Sequence, residues 1–196
     1  MTVSGPDPED VAAYDALAQR RIGGPQPLSG PIEIREYDAT WPAAYAGEAE
    51  RIRGALGHRV VRLEHVGSTS VPGLAAKPVI DIALEVADTT DEAAYVPDLE
   101  AAGYVLRIRE PEWFEHRLFR REEPAVNLHT FSARCVETDR MLRFRDRLRV
   151  NDSDRDLYLR TKRALAAREW KYTQQYADAK REVVEQILAR GASTLR

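Results

Sequence analysis

The chain has 196 residues, 43% of them apolar and 31% charged, with a formal net charge of −3. That composition excludes disorder along the whole length, and the length fits one core domain plus an appended terminal or helical element. No apolar run reaches the about 18 residues of a membrane span, the N-terminus has no apolar signal core, and the single cysteine, Cys135, excludes an internal disulfide framework or a multi-cysteine zinc site. A soluble, cytoplasmic protein is the expectation.

Residues 1–30 read as an extension, in which Pro6, Pro8, Gly23, Gly24, Pro25, Pro27 and Gly30 bracket one short amphipathic helix over Glu9–Arg21. That helix should pack loosely or meet a partner. Ile32–Glu36 alternates like a strand, Tyr37-Asp38 reads as a turn, and Thr40 is a plausible N-cap for a helix that begins at Trp41-Pro42 and stops near Gly57. Val60–Val66 is β-branched and half alternating, a strand. Pro78–Val86 is an almost continuous apolar run, which predicts a central buried strand. Thr90 and Asp91 open a helix that ends before Gly103, with Pro97 as a break or restart. Tyr104–Ile108, His116–Arg121 and Val126–Phe131 are three more strands, and from Glu137 onward every segment is helical.

The C-terminal helices carry apolar stripes of Met141, Leu142, Phe144, Leu148 and Val150, then Leu157, Tyr158, Leu165 and Trp170, then Tyr172, Tyr176, Val183, Val184, Ile187 and Leu188. The fold class is α+β: a mixed sheet with flanking helices, closed by a C-terminal helical layer. The expected division is 1–30 for the extension, 31–134 for the α/β core and 135–196 for the helical region.

The chemistry concentrates in HVGSTSVPGLAAKPVID, His65 to Asp81. Between two strands lies a loop offering Gly67, Ser68, Thr69, Ser70 and Gly73, where glycine allows close backbone approach and amides with hydroxyls make an anion cradle. Lys77 adds a mobile cation. Asp81 stands in an apolar strand, where an unpaired carboxylate is costly, so a metal, a cation or a hydrogen-bond donor should face it. A tight turn with Asp81 paired to Arg or Lys would explain the same residues without a ligand.

These residues resemble the GrpB-like family, a branch of the nucleotidyltransferase-fold superfamily whose relatives also occur as C-terminal extensions of actinobacterial dephospho-CoA kinases. The resemblance covers Ile32 to Arg190. Its landmarks run in order through Tyr37-Asp38, Trp41-Pro42, EHVGSTSVPGLAAKPVID, Leu99 with Gly103-Tyr104, and Asn127-Leu128-His129. They continue through Phe144-Arg145-Asp146, Leu148-Arg149, Tyr158 with Lys162, and Tyr176 with Lys180. The resemblance implies a nucleotidyltransferase-like enzyme in which Gly67 and Ser68 cradle phosphate and Asp81 is the first ligand of a divalent metal, magnesium or manganese. It implies transfer of a nucleotidyl or related group from a nucleoside triphosphate, or from a CoA-like phosphate ligand, to a small-molecule acceptor.

The second metal carboxylate of that superfamily falls two residues after Asp81, where this chain has Ala83. Neighbours at i and i+2 share a strand face about 6.6 Å apart, a spacing suited to two ions about 3.5–4 Å apart. Glu85 shares the face but lies about 13 Å from Asp81, too far to share an ion. His65, Asp81 and His129 could instead form a mixed nitrogen and oxygen set for another transition metal, or both histidines could be half-buried hydrogen-bonding residues. Asp81, Lys77 and His129 are the catalytic candidates.

Only four of the 29 basic residues are lysines, and the net negative charge argues against duplex nucleic acid as partner. Basic residues do concentrate from Arg134 to Arg168, enough for a small phosphate ligand. Arg145 and Arg149 share a helical face at i and i+4. With Lys162, Tyr176 and Lys180 they form a candidate phosphate- and base-binding lobe, or else a solvated charged face over core tyrosines. A homo-oligomer is compatible with the sequence. Degeneration to a non-catalytic nucleotide-binding or regulatory module, and a group-transfer or ligation reaction on the same fold, remain open alternatives.

Overall fold

The computed structural model describes Tyr14, Ile22, Gly24, Leu28 and residues 30–193. Apart from Tyr14, the helix expected over Glu9–Arg21 lies outside the described residues. At three described positions the extension is tied to the rest of the chain: Tyr14 donates to Asp178 at 2.6 Å, the Ile22 amide to Arg107 at 3.0 Å and the Leu28 amide to Lys171 at 2.9 Å.

The first helix, α1 (Trp41–Leu56), starts with Pro42 in its first turn and ends at Gly57, whose φ of 58° a residue without a Cβ adopts freely. Strands β1 (Arg62–Val66) and β2 (Ile80–Val86) pair antiparallel around the Gly67–Val79 loop. A 3-10 turn (Glu92–Ala94) and helix α2 (Val96–Ala101) lead into β3 (Val105–Glu110), β4 (His116–Arg121) and β5 (Val126–Ser132). Pro97 restarts the helix, sitting in the first turn where its missing amide costs nothing. Four helices close the chain: α3 (Val136–Val150), α4 (Asp152–Ala166), α5 (Thr173–Ala179) and α6 (Arg181–Ser193).

The sheet order is β1-β2-β5-β4-β3, with β2 and β5 parallel and the other pairs antiparallel. This is the mixed sheet with flanking helices that the sequence predicts, and β2 is central and buried as its apolar run requires. Side-chain alternation sorts β2 into two faces. Ile80, Ile82, Leu84 and Val86 join Ile52, Leu56, Leu99, Tyr104 and Phe119 in the core beneath α1 and α2. Asp81, Ala83 and Glu85 point the other way, toward the C-terminal helices, where Ala83 packs with Val66 and Leu142. A second apolar cluster of Val71, Leu74, Leu148, Tyr158, Val183 and Ile187 fastens that helical layer to the Gly67–Val79 loop.

Three local expectations change. The strand over Ile32–Glu36 reduces to one bridge, Arg35 with Ala76, because Ile32 and Ile34 turn their apolar side onto Leu165 and Tyr176 instead of a neighbouring strand. Thr40 takes the N-cap position of α1 as expected, but its side chain makes no capping bond; its amide and hydroxyl donate to Asp38 at 2.8 and 2.7 Å, so Asp38 makes the turn. Val150 leaves its stripe and is 80% exposed at the last turn of α3.

Candidate functional site

A cavity of about 520 Å³ opens between the Gly67–Ser70 turn, the start of β2, the β4–β5 end of the sheet, and α3 to α6. Its walls bring together Gly67, Ser68, Thr69, Lys77, Asp81, His129, Lys162, Tyr176 and Lys180 from the sequence candidates, and add Arg120, Asn127 and Tyr158.

Gly67 is fixed by contact. Its φ is 70° and ψ −174°, a region essentially reserved for glycine, and a Cβ there would lie 2.3 Å from Asp81 Oδ2. The turn backbone therefore lies directly against the carboxylate. Ser70 closes the turn by donating to the Gly67 carbonyl at 2.6 Å, and the Thr69 hydroxyl donates to the Val79 carbonyl at 3.1 Å. Ser68 is left facing the helices, where Lys162 Nζ donates to its Oγ at 3.1 Å and to the Ala75 carbonyl at 2.6 Å.

The parallel register sets Asp81 beside Asn127 and Ala83 beside His129. Asn127 Nδ2 donates to Asp81 Oδ1 at 2.9 Å, and His129 Nε2 stands 3.9 Å from the same oxygen. Burial alone would raise the Asp81 carboxyl, but the opposing influence of His129, Asn127 and Lys180 holds it below its ordinary value. Asp81 is the charged form in the cavity.

The cations around it are crowded. Lys162 is 2% exposed, and burial, then repulsion from Lys180 and Arg163, brings its amine down to about 7. Lys77 is lowered by burial and by Arg120 and Lys180. Lys180 lies over the Tyr176 ring at 4.5 Å and Lys162 over the Tyr158 ring at 4.9 Å. Burial pushes the Tyr158 hydroxyl up to about 12, so it stays protonated. Arg121 also reaches the wall but is held by Glu48 at 3.0 Å.

Four sequence candidates stand elsewhere, Ser70 among them with its hydroxyl turned back onto the Gly67 carbonyl and off the cavity wall. The β1–β2 register places His65 opposite Ile82, on the α1 face and not the cavity face. There it stacks on Tyr45 with ring centres 4.7 Å apart, bonds Thr69 Oγ1 at 3.1 Å, and is kept neutral by burial, which lowers it to about 4. Arg145 donates to Glu64 at 2.9 Å and to the His65 carbonyl at 3.0 Å, while Arg149 grips the Ser70 carbonyl at 2.8 and 3.1 Å. Both guanidinium groups tie α3 to the outside of the Gly-Ser turn, with their donors spent on protein acceptors. Neither lines the cavity.

The donor chemistry does not fit a two-ion site. Asp81 is a lone carboxylate beside Ala83, Glu85 is buried farther along the strand accepting the Arg134 amide at 3.2 Å, and His65 faces away. Among the described residues no group of three or more His, Cys, Asp or Glu could hold a metal ion. Asp81 and His129 form a carboxylate–imidazole pair on the cavity wall.

Two residues without a sequence signal complete the face. His116 Nε2 lies 3.1 Å from His129 Nδ1, and His116 Nδ1 lies 2.7 Å from Glu110 Oε2. Only the pairing of β3, β4 and β5 brings these three side chains onto one face, so spacing along the chain could not show it.

Comparison with known proteins agrees with this architecture. The family model described as GrpB protein matches residues 31–190. A UPF0157 protein of Halalkalibacterium halodurans is 54% identical over 180 residues, covering 92% of this chain and 92% of that protein. The crystal structure of conserved protein GrpB from Enterococcus faecalis superposes with a TM-score of 0.72 at 26% identity, covering 83% of this chain and 99% of that one. A dephospho-CoA kinase of Mycolicibacterium paratuberculosis is 42% identical over 77 residues, which span 38% of this chain but 19% of the kinase. No helix among the described residues is long and apolar enough to cross a membrane.

Proposed function

The chain belongs to the GrpB family, and from that premise we propose that it is a nucleotidyltransferase-like protein that binds a phosphate-bearing small molecule in this cavity. The ligand is a nucleotide or a CoA-like molecule, with its phosphates laid on the Gly67–Ser68 turn. The observation that carries this reading is the set of mutually repelling cations, Lys77, Arg120, Lys162 and Lys180, gathered around one glycine-fixed turn. Burying like charges together is costly unless an anion arrives to offset them. Asp81 lies against the same turn and repels phosphate there, so binding depends on Lys77, Arg120, Lys162 and Lys180 outweighing it.

Since a pair of divalent ions lacks its second carboxylate, the ammonium groups supply the charge neutralisation that such ions give elsewhere. Transfer of a nucleotidyl or related group to a small hydroxyl acceptor is the activity this arrangement suits, with Asp81, His129 and Lys77 at the reacting end. Ala83 favours a second reading, a binding module without turnover. The dephospho-CoA kinase likeness supports including CoA among the ligands tried.

Thermal melting with ATP, GTP, CTP, UTP and CoA, each with EDTA or with magnesium, tests the proposal. A ligand at 100 times its dissociation constant adds about 2.7 kcal/mol, or about 5–10 °C for a chain of this length. Stabilisation by at least one of them in EDTA supports ammonium-based binding. No shift with any ligand in either condition contradicts the proposal, and a shift that needs magnesium contradicts its metal-free form.

A further inference from the structure

Across four strands of the cavity face runs an unbroken series of polar side chains: Glu110 on β3, His116 on β4, His129 on β5 and Asp81 on β2. The contacts are 2.7 Å from Glu110 Oε2 to His116 Nδ1, 3.1 Å from His116 Nε2 to His129 Nδ1, and 3.9 Å from His129 Nε2 to Asp81 Oδ1. His116 is 2% exposed, walled by Phe131 stacked at 4.8 Å and by Trp113 edge-on at 4.9 Å. The two imidazoles are nearly coplanar, 22° apart.

The direction of every proton in this series follows from its first member. A carboxylate only accepts, so Glu110 requires the proton of His116 on Nδ1. A neutral imidazole carries one proton, so His116 Nε2 is then an acceptor, and burial keeps His116 neutral by lowering it to about 4. His129 must donate from Nδ1 to that acceptor. Its Nε2 is left with a bare lone pair facing the cavity. At 3.9 Å from Asp81 Oδ1, beyond hydrogen-bond distance, that nitrogen makes no donor contact with the carboxylate, and it favours the Asp81 charge once it has taken up a proton.

We propose that Glu110 and His116 are positioning residues that fix the tautomer and ring orientation of His129, so that His129 Nε2 serves as the base toward a hydroxyl group or water in the phosphate-binding cavity. The O–H bond breaks, the proton joins the Nε2 lone pair, and the electron pair stays on oxygen, which becomes the nucleophile. The resulting imidazolium has Asp81 beside it as counter-ion. The inference rests on the proposed function for the identity of the ligand, but the tautomer belongs to the ligand-free protein.

The test is side-chain 15N–1H correlation NMR of the ligand-free protein at pH 7.5, with the four histidines, His58, His65, His116 and His129, assigned by single substitution. His129 is expected to show a pyrrole-type nitrogen at Nδ1 and a pyridine-type nitrogen at Nε2. Glu110→Leu, at a side chain 43% exposed, should shift His129 toward the Nε2–H form while leaving the melting temperature within a few degrees. A wild-type His129 carrying its proton on Nε2 overturns the proposal, as does an unchanged tautomer in Glu110→Leu. Should that variant misfold, the wild-type spectrum decides by itself. Tripolyphosphate titration of the same samples separates the two claims. Absence of binding in the wild type sinks the proposed function and leaves the tautomer result standing, and the reverse pattern sinks only the relay.

Discussion

Gly67 and Gly73 flank the same loop and both have positive φ, 70° and 76°, but their surroundings differ. A Cβ on Gly67 would meet Asp81 Oδ2 at 2.3 Å, its Cβ at 2.8 Å and its Cγ at 2.9 Å, whereas a Cβ on Gly73 meets nothing within 4 Å. Gly73→Ala should therefore carry only the backbone penalty, about 1–2 kcal/mol. Gly67→Ala carries a backbone penalty of about 1–3 kcal/mol, and a further 1–3 kcal/mol or so for overpacking against a central strand. The expected loss for Gly67→Ala is about 4 kcal/mol, measured as the shift of a urea unfolding curve at constant slope. Distorting the turn that receives the phosphates should also abolish tripolyphosphate binding in Gly67→Ala, whereas Gly73→Ala should spare it. Equal destabilisation of the two variants, within about 1 kcal/mol, would refute the claim that the turn is fitted to the Asp81 carboxylate.

Other residues give sharper contrasts. Because the Lys162 amine falls from 10.5 to about 7 on burial, the unfolded chain binds more protons between those values and stability should rise with pH across that window. At about 1.4 kcal/mol per pH unit the rise is at most about 5 kcal/mol, and Lys162→Met should flatten it in denaturation curves collected from pH 7 to 10.5. Binding of a polyanion should return the proton to Lys162, which calorimetry in buffers of different ionisation enthalpy will register as proton uptake near pH 8. Glu48 is 3% exposed and accepts from Tyr104 at 2.5 Å and Arg121 at 3.0 Å, so Glu48→Ala should lower stability by about 3 kcal/mol in urea unfolding. Arg149→Ala should destabilise the protein while changing tripolyphosphate affinity less than twofold, because Arg149 holds the Ser70 carbonyl outside the cavity.

How far the sequence could be read depends on how local the information is. The continuous apolar run of Pro78–Val86 predicted a central strand, and Gly103 and Pro97 punctuated the chain where helix α2 ends and restarts. The Gly-Ser turn, Lys77 and Asp81 were legible because they are close in sequence and flank one loop. Residues whose role depends on register were not. His65 and Val66 are adjacent in the chain, yet pairing sends only Val66 to the Asp81 face. Arg145 and Arg149 share a helical face as expected, but the cavity-lining lysines are Lys162 on α4 and Lys180 at the end of α5, while Arg145 is held by Glu64 and the His65 carbonyl and Arg149 by the Ser70 carbonyl. His116 lies 13 residues before His129 with no motif joining them, and only the β4–β5 pairing makes them neighbours. The isolated bridge at Arg35 shows the complementary failure: alternation there records contact with helices, not with a strand.

The measurement that addresses the central claim most directly is calorimetric titration of tripolyphosphate in EDTA into the wild type and into Lys180→Met. Lys180 is chosen because it stands over Tyr176 at the cavity wall with no hydrogen bond to the Gly-Ser turn, so its loss removes a cation without unlatching the fold. Metal-free binding in the wild type that weakens at least tenfold in Lys180→Met, at unchanged melting temperature, is the predicted outcome. Equal affinity in the two proteins, or no binding in the wild type, would contradict the assignment of this cavity to a phosphate ligand.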